Sequence, residues 1–104
     1  MKYIREDGMV AVLVSPGHGH GWYTANLDHP ELLFDSNIVS MLLDRRPDIE
    51  VRAYIETKYG ADVWTGGLDT IVIRWVPQGS KFRVDEYDGH ETLMLEHEHH
   101  WHIA

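Results

Sequence analysis

Hydrophobic residues recur along this chain with two different periods, and the switches between them divide it into elements. Residues 2–6 and 9–14 read as extended runs on either side of Asp7-Gly8, where glycine accepts the positive φ of a tight type I′ hairpin turn. In the second run Val10, Val12 and Val14 fall on one face and Ala11 and Leu13 on the other, so this strand is expected to be central and covered on both sides. A helical period follows. Asp35 or Ser36 can cap a helix whose Ile38, Val39, Leu42 and Leu43 share one stripe, with Arg45 and Arg46 at its negative end. Pro47 stops that helix and can serve as the first residue of a second, which Lys58 and Gly60 close. Ile49, Val51, Ala53 and Ile55 also alternate as a strand would, but the punctuation and the pairs Val51/Ile55 and Ile55/Tyr59 favour helix. The β-branched run 70–76, with Ile71, Ile73 and Trp75 on one side, predicts a strand that Pro77 ends. Runs 82–87 and 90–95 around Asp88-Gly89 repeat the hairpin pattern. A two-residue loop there sets Phe82 opposite Leu95, Val84 opposite Leu93 and Lys81 opposite Glu96, and Trp101 and Ile103 can continue as a short last strand.

The expected architecture is α+β: two helices packed on a mainly antiparallel sheet of five or six strands, in the order ββααββ(β), within a single domain over 1–104. No repeat, low-complexity tract or linker divides the chain. Four Trp and several apolar strand faces in 104 residues leave surplus apolar surface, which pairing into a homodimer would cover.

Composition narrows the chemistry. Zero cysteines exclude disulfides, thiolate metal sites and a cysteine nucleophile, so any metal must use His, Asp or Glu. Nine Lys+Arg against seventeen Asp+Glu give a net charge of -8, which opposes direct binding to nucleic acid. No apolar run approaches the roughly 20 residues that span a bilayer, and the Met-Lys-Tyr-Ile-Arg-Glu start lacks the apolar core of a secretory signal. The expected location is the cytoplasm, with no membrane partner.

Three groups of residues are candidates for function. In 15–23, Gly17, Gly19 and Gly21 are spaced by two and followed by Trp22. Trp64 precedes Gly66 and Gly67 in a second loop. If the two loops meet at one sheet end they can line a cleft for a small anionic, nucleotide-like ligand, its phosphate on loop N–H groups and its base on an indole; otherwise they are irregular loops that need glycine conformations. Asp85, Glu86, Asp88 and Glu91 concentrate carboxylates on the last hairpin, suited to the basic groove of a protein partner or simply to solubility. His97, His99, His100 and His102, with His18 and His20, are paired at one-residue spacing, and such pairs can chelate a divalent metal that activates water, or be a solvated tail. Ser15 lacks the Gly-x-Ser-x-Gly elbow and no spacing singles out an acid and a base, so binding is expected rather than catalysis, with no cofactor.

Ser15-Pro16-Gly17 to Gly21-Trp22, Leu33-Phe34-Asp35, Lys58-Tyr59-Gly60, Thr65-Gly66-Gly67, Trp75-Val76-Pro77 and the stretch from Phe82 to Gly89 make the whole chain similar to a group of small uncharacterised phage and prophage proteins. These are punctuation and core positions, and they carry no catalytic role to transfer. The resemblance implies a short accessory protein, in the host cytoplasm if phage-encoded, that acts by binding, either inhibiting a bacterial defence protein or capturing a nucleotide signal.

Overall fold

The structure is a computed structural model and describes residues 2–17 and 21–95. Among the described residues four strands and two α-helices form in the order β1 (Met9–Val14), α1 (Ser36–Leu43), α2 (Asp48–Tyr59), β2 (Val72–Pro77), β3 (Phe82–Tyr87) and β4 (His90–Leu95), with short 3-10 turns at Pro30–Leu33 and Leu68–Thr70. The α+β class is as expected. The single five- or six-stranded sheet is not: β1 pairs antiparallel with β2, and β3 with β4, as two separate ladders.

The missing first strand has a local cause. Residues 2–4 meet β1 through the isolated bridge Ile4↔Val10 and the bond from Ala11 N to Tyr3 O, and the segment then leaves it for the bridge Lys2↔Asp35 at the start of α1. Its turn also differs from the expected type I′. Gly8 N donates to Arg5 O and Arg5 N to Met9 O, and of the loop residues only Gly8 has positive φ, at 84°. This is a three-residue loop with a glycine bulge, in which Asp7 accepts from Met9 N and pairs with Arg5. The second hairpin matches its expectation. Asp88 and Gly89 both have positive φ, 50° and 79°, and Phe82 lies opposite Leu95 and Val84 opposite Leu93. The expected Lys81–Glu96 pair and the strand at Trp101 and Ile103 lie outside the described residues.

β1 is covered on both faces. Ala11 and Leu13 pack with Trp22, Leu32, Ile38, Val39, Val51 and Ile55, while Val12 and Val14 pack with Leu33, Val76 and Leu95. Residues 48–59 are helical, with Val51 and Ile55 fully buried and Ile49 73% exposed. The strand-like alternation therefore places its residues on different sides of a helix. Pro47 is the residue before the first turn rather than within it, and Gly60, at φ 105°, ends the helix. No helix among the described residues is long and apolar enough to cross a membrane.

Asp35 joins the two helices. Its carboxylate caps α1 by accepting from the backbone N–H groups of Asn37 and Ile38, and also accepts from Tyr54 Oη at 2.9 Å, Lys58 Nζ at 3.0 Å and Tyr59 Oη at 2.5 Å, all on α2. Burial alone raises the pKa of this carboxyl, but the bonds from Tyr59, Lys58, Ile38 and Tyr54 outweigh it and hold Asp35 below its ordinary value. Burial and then the bond to Asp35 push the Tyr59 phenol upward, and contact with Tyr54 and Asp35 raises Lys58. Each group is thereby kept in its neutral-pH form.

Because the folded pKa of Asp35 is depressed, its contribution to stability is complete above the ordinary value of 3.8 and is lost as pH falls through the folded value. Chemical denaturation across pH should show an acid loss of stability that is smaller in Asp35→Asn. Asp35→Ala at neutral pH should cost about 2–4 kcal/mol, since it removes the cap and leaves two phenols and an ammonium short of an acceptor.

Candidate functional site

The β3–β4 hairpin carries most of the exposed chemistry. Strand alternation puts Phe82 and Val84 toward the core and leaves Arg83, Asp85 and Tyr87 in solvent. Tyr87 is 80% exposed, the most exposed large hydrophobic among the described residues, and stands between the exposed carboxylates Glu86 and Asp88. Arg83 Nε lies 3.1 Å from Asp85 Oδ1. Gly89 N donates to Glu86 Oε1 at 2.5 Å, which ties the turn to its own strand.

Glu91 overturns its expected place on that acidic surface. It is 1% exposed, and its carboxylate accepts from Ser15 N at 2.9 Å, Trp22 N at 3.0 Å, Thr24 N at 2.7 Å and Thr24 Oγ1 at 2.6 Å. Its own N–H donates to Ser15 O at 2.8 Å, and the His90 ring meets Pro16 O. The turn end of the hairpin is therefore bolted to the end of β1 and to the loop that leaves it. The sequence held a signal of this: Glu91 shares a strand face with Leu93 and Leu95, so a carboxylate sits in line with the apolar stripe.

The two glycine loops do meet, but in direct contact. A Cβ on Gly67 would lie 2.3 Å from Gly21 O, one on Gly17 would lie 2.9 Å from the Thr70 side chain, and one on Gly66 would overlap the Trp64 indole. Thr70 Oγ1 bonds Ser15 Oγ at 2.6 Å across the same junction. Trp22 is fully buried, and its Nε1 donates to Leu32 O at 3.1 Å, so its ring belongs to the core. Trp64 is 50% exposed. Its backbone N–H and C=O both bond the Asn26 side-chain amide, at 2.8 and 2.9 Å, so that Asn26 stands in for a strand neighbour and joins residues 22–26 to residue 64. Beside this clasp a shallow depression of about 220 Å³ opens between residues 24–29 and Asp62.

The remaining histidines expected to hold metal, His97, His99, His100 and His102, lie outside the described residues, as do His18, Gly19 and His20. Among the described residues no three His, Asp or Glu converge as metal ligands. His29 packs edge-on against Tyr59 and is 3.9 Å from Glu31.

Two substitutions separate the roles of carboxylate and glycine in this junction. Glu91→Gln turns an amide donor toward either Ser15 N–H or the Thr24 donors, and Glu91→Ala leaves all of them unmet in a buried site. Urea denaturation should show a loss of about 2–4 kcal/mol for Gln and a larger loss for Ala. Gly67→Ala forces backbone off backbone and should cost about 2 kcal/mol or more.

Compared with protein-family models, curated proteins and solved structures, the chain matches none of them, so any function assigned to this surface rests on its own geometry.

Proposed function

We propose that the protein works by binding a protein partner, with the tip of the β3–β4 hairpin as the contact surface. The observation that carries this reading is Tyr87, exposed between Glu86 and Asp88 at a hairpin turn whose other strand is held by the buried Glu91. An aromatic ring with two torsions supplies contact area at small entropic cost, and interface energy concentrates on such anchors. Carboxylates around it select a basic surface and speed encounter, to which the net charge of -8 adds at long range. A tip that is rigid before binding loses less freedom on docking than a free loop.

The phage accessory context belongs to the same proposal, with inhibition of a bacterial defence protein as its biological form. Capture of a small anionic ligand by the glycine loops has less support. The backbone donors of Ser15, Trp22 and Thr24 already serve Glu91, and the Trp22 ring is enclosed.

The test is affinity capture from a bacterial lysate followed by titration of the captured partner. Glu86→Lys/Asp88→Lys should weaken binding by roughly tenfold, about 1.4 kcal/mol, and abolish its salt dependence. Glu56→Lys, a charge reversal of equal sign on exposed α2, should leave binding unchanged. Equal affinity for wild type and the hairpin double variant would exclude the tip as the contact surface.

A further inference from the structure

Among the described residues β3 has one neighbouring strand, β4, and its other edge is open. Hairpin geometry decides which groups that edge presents. Tyr87 and His90 flank a two-residue loop and exchange both hydrogen bonds, so Arg83, Asp85 and Tyr87 direct their backbone toward β4 while Phe82, Val84 and Glu86 direct theirs outward. None of these outward N–H or C=O groups is bonded to another described residue. β4 turns its far edge to β1 through the bond from Glu91 N to Ser15 O, which leaves β3 outermost.

An open edge needs a reason not to pair indiscriminately, and charged side chains commonly provide it. Here the charges do more, because they are arranged as their own complement. With two copies of β3 antiparallel about a two-fold axis through Val84, Val84 meets Val84 and Phe82 meets Glu86 through the outward backbone groups. On the exposed face Arg83 of each copy then lies opposite Asp85 of the other, and Lys81 opposite Tyr87. Directly opposed residues at a non-hydrogen-bonded position have Cβ atoms about 4.5–5.5 Å apart, within reach of an ion pair. Sliding the register by two residues puts Asp85 against Asp85 in one direction and Arg83 against Arg83 in the other. Of these three registers, only the Val84-centred one sets Arg83 opposite Asp85 on both sides of the axis and opposes no like charges.

We infer that β3 is a self-recognition edge at which a second copy of this chain docks, joining the two hairpins into one four-stranded antiparallel sheet with a crosswise pair of Arg83–Asp85 bridges. A two-fold interface of this kind uses one patch twice and closes on itself, so it ends at the dimer. Asp88 lies in the turn, outside the paired residues, so Asp88→Lys should weaken partner binding and leave self-association intact. The two readings therefore stand or fall separately.

Sedimentation of the full chain over a concentration series up to millimolar tests the inference. The wild type should show a monomer–dimer equilibrium. Arg83→Asp opposes two carboxylates at each crossing and Asp85→Arg opposes two guanidinium groups, and each should weaken the dimer by about tenfold or more. Mixed in equal amounts, the two variants present opposite charges to each other and should recover the dimer as a heterodimer. Arg83→Asp/Asp85→Arg in one chain, which keeps the composition and the pair within each strand, should dimerise like the wild type and shows that the fold accepts the exchange. A wild type that stays monomeric, single variants that dimerise unchanged, or a mixture that remains monomeric while the exchanged variant folds would each overturn the inference.

Discussion

The structure depends on a carboxylate buried among backbone donors. Glu91 enters the core from a strand face otherwise occupied by Leu93 and Leu95, and it is met there by three backbone N–H groups and a hydroxyl. A buried acid left unmet would cost far more than one hydrogen bond returns, so these donors must be in place whenever the hairpin is docked. The reverse also holds. Ser15, Trp22 and Thr24 belong to a segment with no ladder of its own, and their N–H groups would be buried without acceptors if Glu91 were elsewhere. One side chain thus ties two ladders that share little hydrogen bonding of their own.

Asp35 plays the corresponding part at the other side of the core, with different chemistry. There the acceptor is served by a helix N-terminus, two phenols and an ammonium, and the ammonium remains half in solvent. The loops between these two acids are then drawn close by small residues: Gly67 against Gly21, Gly17 against Thr70, and the Asn26 amide against the backbone of Trp64. What reads in the sequence as a set of loops open to a ligand is in the structure a packed junction beneath the hairpin.

This arrangement gives the hairpin an anchored inner face and an exposed outer one. His90 and Glu91 fix its turn end and Phe82, Val84, Leu93 and Leu95 its inner face, whereas the exposed side chains lie along β3 and at the turn: Arg83 and Asp85, then Glu86, Tyr87 and Asp88. A partner contact and a self-contact can use such an element without disturbing the core, because they use the turn and the backbone edge while the Phe82 and Val84 side chains stay packed inward.

Much of the fold was legible along the chain because local pattern and local chemistry decided it. The valine and leucine alternation marked β1 as covered on both faces, Asp35 marked the start of α1, Gly60 the end of α2, and Asp88-Gly89 set both the turn and the register of β3 on β4. The first strand and the single sheet were not legible, because alternation within residues 2–6 says nothing about Lys2 pairing with Asp35, more than thirty positions away. The candidate site divided in the same way. Asp85, Glu86 and Asp88 are exposed as charged residues on a hairpin usually are, but Glu91 is buried by donors from residues 15–24, and only the tertiary structure could bring those donors to it. Charge and period are properties of the chain, whereas the burial of an ionised group depends on which distant backbone atoms surround it.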